Sequence, residues 1–202
     1  MPDSEILTPR LVLRTMSAGF LEASLDDDLV AADALLGMRV QAAWFAEKAL
    51  MQLRIEDLAQ DPAYLDWSLR AIGLRATAEM VGYVGFHSRP NPPYLQPLVT
   101  DAVELGYTVF PSFRARGIAT EAVIALIGWA HRSAGIRNFV VSIAPDNEPS
   151  RAIAARLGFR RVGEHTDEFD GYEEVFLLDG AAAEAAIALT AGAPAALAVR
   201  WA

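Results

Sequence analysis

Val103-Glu104-Leu105-Gly106-Tyr107-Thr108-Val109, then Phe110-Pro111-Ser112-Phe113, then Arg114-Ala115-Arg116-Gly117-Ile118-Ala119-Thr120: this stretch changes its period part-way. Over 103–109 the alternation puts Val103, Leu105, Tyr107 and Val109 on one face of a strand and Glu104, Gly106 and Thr108 on the other. The loop after it opens the most apolar helix of the chain, Gly117 to about Ser133, whose core face carries Val123, Leu126, Ile127 and Ala130. A strand that runs through a small-residue turn into a helix leaves several backbone N–H groups without intrahelical partners. With the helix dipole, these make an anion site. Arg114 and Arg116 add charge, and Gly117 lets the backbone come close, which is what a pyrophosphate requires. The pattern alone equally describes a glycine helix start with two surface arginines. It is not a P-loop, since no Gly-Lys-Ser/Thr follows, and it lacks the three glycines of a dinucleotide fingerprint.

Upstream, Arg10–Arg14 reads as a short opening strand, and Ser17 to Leu29 as a weak helix broken at Asp26-Asp27-Asp28. That acidic run reads as a solvated turn rather than a metal site. Val40, Trp44, Met51, Ile55 and Leu58 are spaced for one amphipathic helix over 39–59, ended by Asp61-Pro62. Trp44 and Phe45 on it read as core, with the wall of an acceptor site as the other reading. Trp67–Ile72 and Met80–Phe86 then alternate as an antiparallel pair, and Asn91-Pro92-Pro93 is a loop. Downstream, Phe139–Ile143 is a continuous apolar run, as in a buried strand. Pro145-Asp146-Asn147-Glu148-Pro149 starts a helix, and Leu157-Gly158 ends it. Phe159–Gly163 and Tyr172–Leu178 pair around Asp170-Gly171.

These elements predict a mixed α/β fold with helices on both faces of one sheet. The expected organisation is a single domain over 1–179 and an Ala-rich extension over 180–202. The extension reads either as a further helix broken near Gly192 and Pro194 or as loose chain.

Composition narrows the function. The 202 residues are 53% hydrophobic and 21% charged, enough apolar material for a packed core. Uninterrupted apolar runs stay far short of the roughly 20 residues a membrane span needs, and Met1–Glu5 lacks the features of a secretion signal. Cysteine is absent, which excludes disulfides, thiolate metal sites and a cysteine nucleophile. His87, His131 and His165 are too scattered for a histidine metal cage, so no metal is expected. Seventeen basic against 26 acidic residues give a net charge of −9, which disfavours nucleic acid and suits a cationic partner such as an amine. A cytoplasmic location is the expectation.

Set in this order of elements, the turn resembles that of the GNAT superfamily of acyl-CoA N-acyltransferases. Val109-x-Pro111-x-Phe113-Arg114-x-x-Gly117-x-Ala119-Thr120-Glu121-Ala122 looks like its acyl-CoA motif. Asn147-x-x-Ser150 leading to Leu157-Gly158-Phe159 looks like its second motif. The opening Leu7-Thr8-Pro9-Arg10-Leu11-Val12-Leu13-Arg14 is similar to the ribosomal-protein N-terminal acetyltransferase (RimJ/RimL-like) branch. The resemblance covers about residues 7–178.

It implies a mostly antiparallel central sheet whose fourth and fifth strands, here 103–109 and 139–143, splay apart. It also implies acetyl-CoA as co-substrate. The N–H groups of Arg116, Gly117, Ile118, Ala119 and Thr120, helped by Arg114, would hold the pyrophosphate. Thr108 and Val109 would offer main-chain groups to the pantetheine arm, and an N–H near Val109 or Tyr107 would polarise the thioester carbonyl. Asn147 would bind the arm through its amide, a role compatible with capping the helix.

The implied reaction moves acetyl from acetyl-CoA to a primary amine, a protein N-terminus or a small molecule, by direct attack in a ternary complex. An amine is protonated at neutral pH and attacks only through its free lone pair. Glu104, on the strand face shared with Gly106 and Thr108, is the candidate base; a salt-bridge partner is its other reading. Many members carry a tyrosine seven residues after the asparagine. Ala154 stands there, so Ser150 becomes the candidate acid, with a first-turn cap as its alternative. Tyr172, with Glu168 and Asp170, and His165 near them, either line an acceptor cleft or decorate a solvated hairpin. A non-catalytic acyl-CoA-binding or regulatory module is the rival class, and edge strands and the Ala-rich tail can support a homodimer.

Overall fold

The structure, a computed structural model, describes residues 5–167 and 171–191. These fall into two compact units. The first holds the chain up to Gly85 together with Tyr107–Ala122, and the second holds Phe86–Gly106 and the chain from Val123 onward.

The first unit begins with β1 (Glu5–Leu7) and β2 (Leu11–Thr15), followed by α1 (Ala18–Leu25) and α2 (Leu29–Leu36). The acidic run between them is a structured turn. Asp28 caps α2 by accepting from Ala31 N (3.0 Å), and Asp27 pairs with Lys48, whose ammonium also donates to the last carbonyls of α1. The single helix expected over 39–59 is a 3-10 segment, Ala42–Ala46, followed by α3 (Lys48–Gln60). The spacing misleads because Arg39 exchanges main-chain bonds with Ala78 and Met80, which holds this stretch extended beside a strand. Next come β3 (Arg70–Leu74) and β4 (Glu79–Phe86), an antiparallel pair. Strand β3 starts three residues later than expected, since Asp61-Pro62 opens a 3-10 turn, Pro62–Asp66, with Asp61 capping Ala63 N.

Hydrogen-bonded order in this unit is β1-β2-β3-β4, with the end of β5 (Ala102–Val109) beside β4. Val12, Ala71 and Tyr83 form one face, covered by Phe20, Leu36, Trp44 and Met51 from the helices. Leu11, Leu13 and Ile72 on the opposite face are also fully buried. Trp44 stacks on Phe20 at 5.9 Å and meets Tyr83 edge-on at 5.5 Å, so it is core and not the wall of a cleft.

In the second unit the order is β5-β6-β8-β7, with β6 (Asn138–Ile143), β7 (Arg160–Asp167) and β8 (Gly171–Leu178). Helix α4 (Ile118–Ala134) enters it from Val123 on, α5 (Glu148–Leu157) ends at left-handed Gly158, and α6 (Gly180–Ala191) buries Ala183 and Ala186. The first half of the Ala-rich tail is therefore a packed helix, while 192–202 lie outside the described residues. The β5–β6 ladder is parallel and short. It pairs Ala102, Val103 and Glu104 with Asn138, Phe139 and Val140 and then stops, although β5 runs on to Val109 and β6 to Ile143. This is the expected splay. All other described ladders are antiparallel.

Replacing Trp44 by Ala removes the side chain that joins α1 to the sheet. Chemical denaturation of Trp44→Ala should show a loss of about 3–5 kcal/mol, the range for a large aromatic core side chain.

Candidate functional site

In the first unit, Ala115 and Gly117 both take positive φ, +57° and +71°, in the turn before α4. Gly117 O accepts the first helical bond of α4, from Glu121 N at 3.1 Å. The N–H groups of Ile118, Ala119 and Thr120 therefore precede the ladder, at the positive end of the helix. Arg116 is exposed, stacks over Phe113 at 5.5 Å and donates to Ser112 O. Arg114 is exposed too, and its Nε donates to Val109 O at 2.9 Å, pinning the strand end to the turn.

Strand alternation settles which main-chain groups of β5 face β4. Phe110 N donates to Val81 O, so the groups of Thr108, two residues earlier, point at β4 as well. Those of Tyr107 and Val109 point away from β4. Of the two residues expected to serve the pantetheine arm by main-chain groups, Thr108 turns them toward β4 and Val109 away from it. Thr108 instead hydrogen-bonds through its side chain to Tyr83. Burial, and further on the charge of Glu47, push the Tyr83 phenol up to about 12 against the effect of that bond.

The opening segment, expected as a short strand and as similar to the RimJ/RimL-like branch, is bonded to the turn. Thr8 Oγ1 donates to Glu121 Oε1 at 2.6 Å, Arg10 Nε to Oε2 at 2.6 Å, and Arg10 Nη1 to Arg116 O at 2.9 Å. A carboxylate at a helix N-terminus is favoured by the dipole, but it would repel a bound anion. The Arg10 charge offsets it. No local signal links residues 111 positions apart.

In the second unit, Glu104 is only 4% exposed in mid-sheet. Ser142 Oγ, from β6, donates to its Oε1 at 2.5 Å, His87 Nδ1 stands 3.7 Å from Oε2, and Tyr94 also hydrogen-bonds to it. Burial alone would raise its pKa. The His87 hydrogen bond and charge, with Ser142 and Tyr94, outweigh burial and hold the carboxyl below its ordinary value. Gly106 makes room for the imidazole, because a Cβ there would lie 2.6 Å from His87 Nε2. Sequence reasoning missed all three partners. The one polar residue inside the apolar run 139–143 was the available signal for Ser142.

Asn147 caps α5, its Oδ1 accepting from Ser150 N at 3.2 Å. Asn147 is exposed and Ser150 half-buried. Ala154 is buried, with no hydroxyl to offer. Tyr172 donates to Glu164 at 2.9 Å and His165 lies across from Glu173, both on the β7–β8 hairpin. Glu168 and Asp170 lie outside the described residues.

Residues 10–160 match the model of the acetyltransferase (GNAT) domain. The chain belongs to the GNAT family. It is 34% identical over 91 residues to an N-acetyltransferase 9-like protein of Caenorhabditis elegans, covering 43% of this chain and 45% of that one. It is 33% identical over 81 residues to the ribosomal-protein-serine acetyltransferase of Escherichia coli, 40% and 41% of the two chains. The chain spans about half the length, or less, of the curated relatives it matches. Its fold is similar to that of Mycobacterium smegmatis RimJ in complex with CoA-disulfide, at a TM-score of 0.58 and 19% identity over 89% of this chain and 88% of that one. Within this GNAT domain, Glu104 sits on the strand that leads into the turn before α4.

Because Glu104 is held below its ordinary value of 4.5, its contribution to stability is complete above that pH and is lost as pH falls through the lowered one. Ser142→Ala should cost about 1.5–3 kcal/mol at pH 7, as expected for a hydrogen bond to a charged group. Urea melts at pH 7, 5, 4 and 3 should show the gap between wild type and variant closing only below about pH 4.5. A gap independent of pH would mean that Ser142 does not stabilise the carboxylate.

Proposed function

We propose that this protein transfers an acetyl group from acetyl-CoA to a primary amine, and that the amine is the α-amino group of a protein N-terminus. The observation that carries this reading is the turn at 114–120, a helix start with left-handed Gly117 and two exposed arginines, inside the residues that match the GNAT domain. In that reading Arg116, Gly117, Ile118, Ala119 and Thr120 hold the pyrophosphate with Arg114. Val109 and Tyr107 turn main-chain groups to the pantetheine arm, and their N–H groups polarise the thioester carbonyl as an oxyanion hole does. Thr108 contributes its hydroxyl, tied to Tyr83. The Asn147 amide meets the arm.

The free amine attacks the carbonyl carbon directly, since the chain holds no cysteine to carry acetyl. Glu104 anchors the proton-accepting side. Ser150 stands in for the tyrosine that Ala154 replaces and serves the departing thiolate. The N-terminal acceptor is supported by the opening motif and by the name of the Escherichia coli relative. Such an acceptor, with acetyl-CoA beside it, places the reaction in the cytoplasm. The buried Ala154 favours one rival, an acyl-CoA-binding module without turnover.

Calorimetric titration with acetyl-CoA, and with acetyl-pantetheine lacking the nucleotide and pyrophosphate, tests the donor site. Micromolar binding of acetyl-CoA and far weaker binding of the truncated donor are expected. Equal affinities, or none, would sink the reading. Arg10→Ala should weaken acetyl-CoA about tenfold, some 1.4 kcal/mol, while leaving acetyl-pantetheine unchanged. Glu104→Gln should slow transfer to a peptide with a free N-terminal serine about 10²-fold at nearly wild-type acetyl-CoA affinity. Binding without any transfer in wild type selects the rival.

A further inference from the structure

We propose that Glu47 receives the positive charge of the acceptor amine, and that Tyr83 positions its carboxylate. This deepens the acetyl-transfer reading above and rests on it. Glu47 follows the 3-10 segment Ala42–Ala46 and stands at the N-cap of α3, within the first unit. Its side chain makes no capping bond to that helix. Instead it is hydrogen-bonded to Tyr83, which is bonded in turn to Thr108 on β5. A carboxylate only accepts, so the phenol proton points to Glu47 and the phenol oxygen accepts from the Thr108 hydroxyl. Among the described residues, no cation pairs with Glu47. Lys48, next to it in sequence, is committed to Asp27 and to the carbonyls of Ser24 and Leu25. Other half-buried carboxylates of this unit meet a positive charge, as Asp57 meets Arg54, Glu79 meets Arg39 and Glu121 meets Arg10. Glu47, half-buried like them, meets only a phenol. A carboxylate that has lost part of its water gains most from a cation that arrives to pair with it.

The carboxylate is rigidly placed. Tyr83 is only 9% exposed and meets Trp44 edge-on at 5.5 Å, which fixes its hydroxyl as a donor. Its neighbour Gly82 lets β4 approach the end of β5 closely. A Cβ there would collide with Thr108 O and lie 3.0 Å from Val109 Cα. Glu47 is thus two hydrogen bonds from Thr108, the residue before Val109, whose main-chain N–H the acetyl-transfer reading gives to the thioester carbonyl. These residues and the turn at 114–120 all belong to the first unit. Recognition is the whole of the role assigned, so no bond is made or broken at Glu47. An ammonium R–NH3+ brings three N–H donors and a charge, while a carboxylate has about four lone-pair sites, of which Tyr83 takes one. The N-acetylated product is a neutral amide. The same carboxylate therefore favours substrate over product.

Binding and turnover by the full chain test this with two acceptor probes, a peptide bearing a free N-terminal serine and phenethylamine, each beside its own N-acetylated form. With CoA present at pH 7, wild type should bind the probe that it acetylates about tenfold more tightly than the acetylated form, the scale of a hydrogen bond to a charged group. Glu47→Gln, which keeps an oxygen for the Tyr83 hydroxyl but no charge, should bind the two forms equally. In turnover it should raise KM for the acceptor about tenfold with little change in kcat, because a contact made alike in ground and transition states acts on KM. Tyr83→Phe, which frees the carboxylate from its donor, should raise the same KM by a smaller factor. Acetyl-CoA affinity equal to that of wild type shows that each variant is folded. A Glu47→Gln protein that still prefers the charged form, or that loses kcat at an unchanged KM, overturns the proposal and leaves the acetyl-transfer reading standing. So does wild type that acetylates a probe but binds its two forms equally. An unchanged KM in Tyr83→Phe overturns the positioning role. Wild type that acetylates neither probe overturns the acetyl-transfer reading and takes the proposal with it.

Discussion

A carboxylate in the middle of a sheet must be surrounded by donors or give up its charge, and Glu104 meets that demand with three. Each donor comes from a different part of the chain: His87 from the end of β4, Tyr94 from the loop that follows it, and Ser142 from β6. Glu104 is also the last residue of β5 that pairs with β6. The point where the ladder ends is thus the point where a buried charge is gathered. Beyond it the alternate residues Tyr107 and Val109 keep main-chain groups that β4 does not use.

The turn that follows is held by a second set of long-range bonds. Glu121 in the first turn of α4 accepts from Thr8 and Arg10, and Arg10 also reaches the Arg116 carbonyl. A carboxylate in the first turn of a helix sits in the field of its exposed N–H groups. With Arg10 in place, the local charge is balanced, the turn is fastened from outside, and the N–H groups of 118–120 stay free. The opening Thr8–Arg10 segment and the turn at 114–120 are thus joined in one hydrogen-bonded unit.

Two elements lie elsewhere than their sequence period indicates. The spacing from Val40 to Leu58 is helical, yet residues 39–41 lie extended beside a strand because Arg39 exchanges main-chain bonds with Ala78 and Met80. Partner strands compete for backbone groups, and the period of a sequence does not report that competition. Trp67–Leu69 reads as strand by alternation, but the 3-10 turn at Pro62–Asp66 delays the start of β3 to Arg70.

The sequence by itself determined the strand–turn–helix at 103–134, the capped helix at 148–157 and the glycine that ends it. These depend on alternation, helical spacing and the backbone freedom of Gly117 and Gly158, all properties of neighbouring residues. It also placed Glu104 and Gly106 on one face, which is a matter of period alone. What surrounds Glu104 was decided only in the tertiary structure. His87 and Ser142 lie 17 and 38 residues away, and pairing with them depends on strand register and on the space left by a missing Cβ at Gly106. The Arg10–Glu121 pairing, across 111 positions, belongs to the same class. Local patterns carry backbone conformation, while a charge finds its partners only once the sheet has set which residues meet.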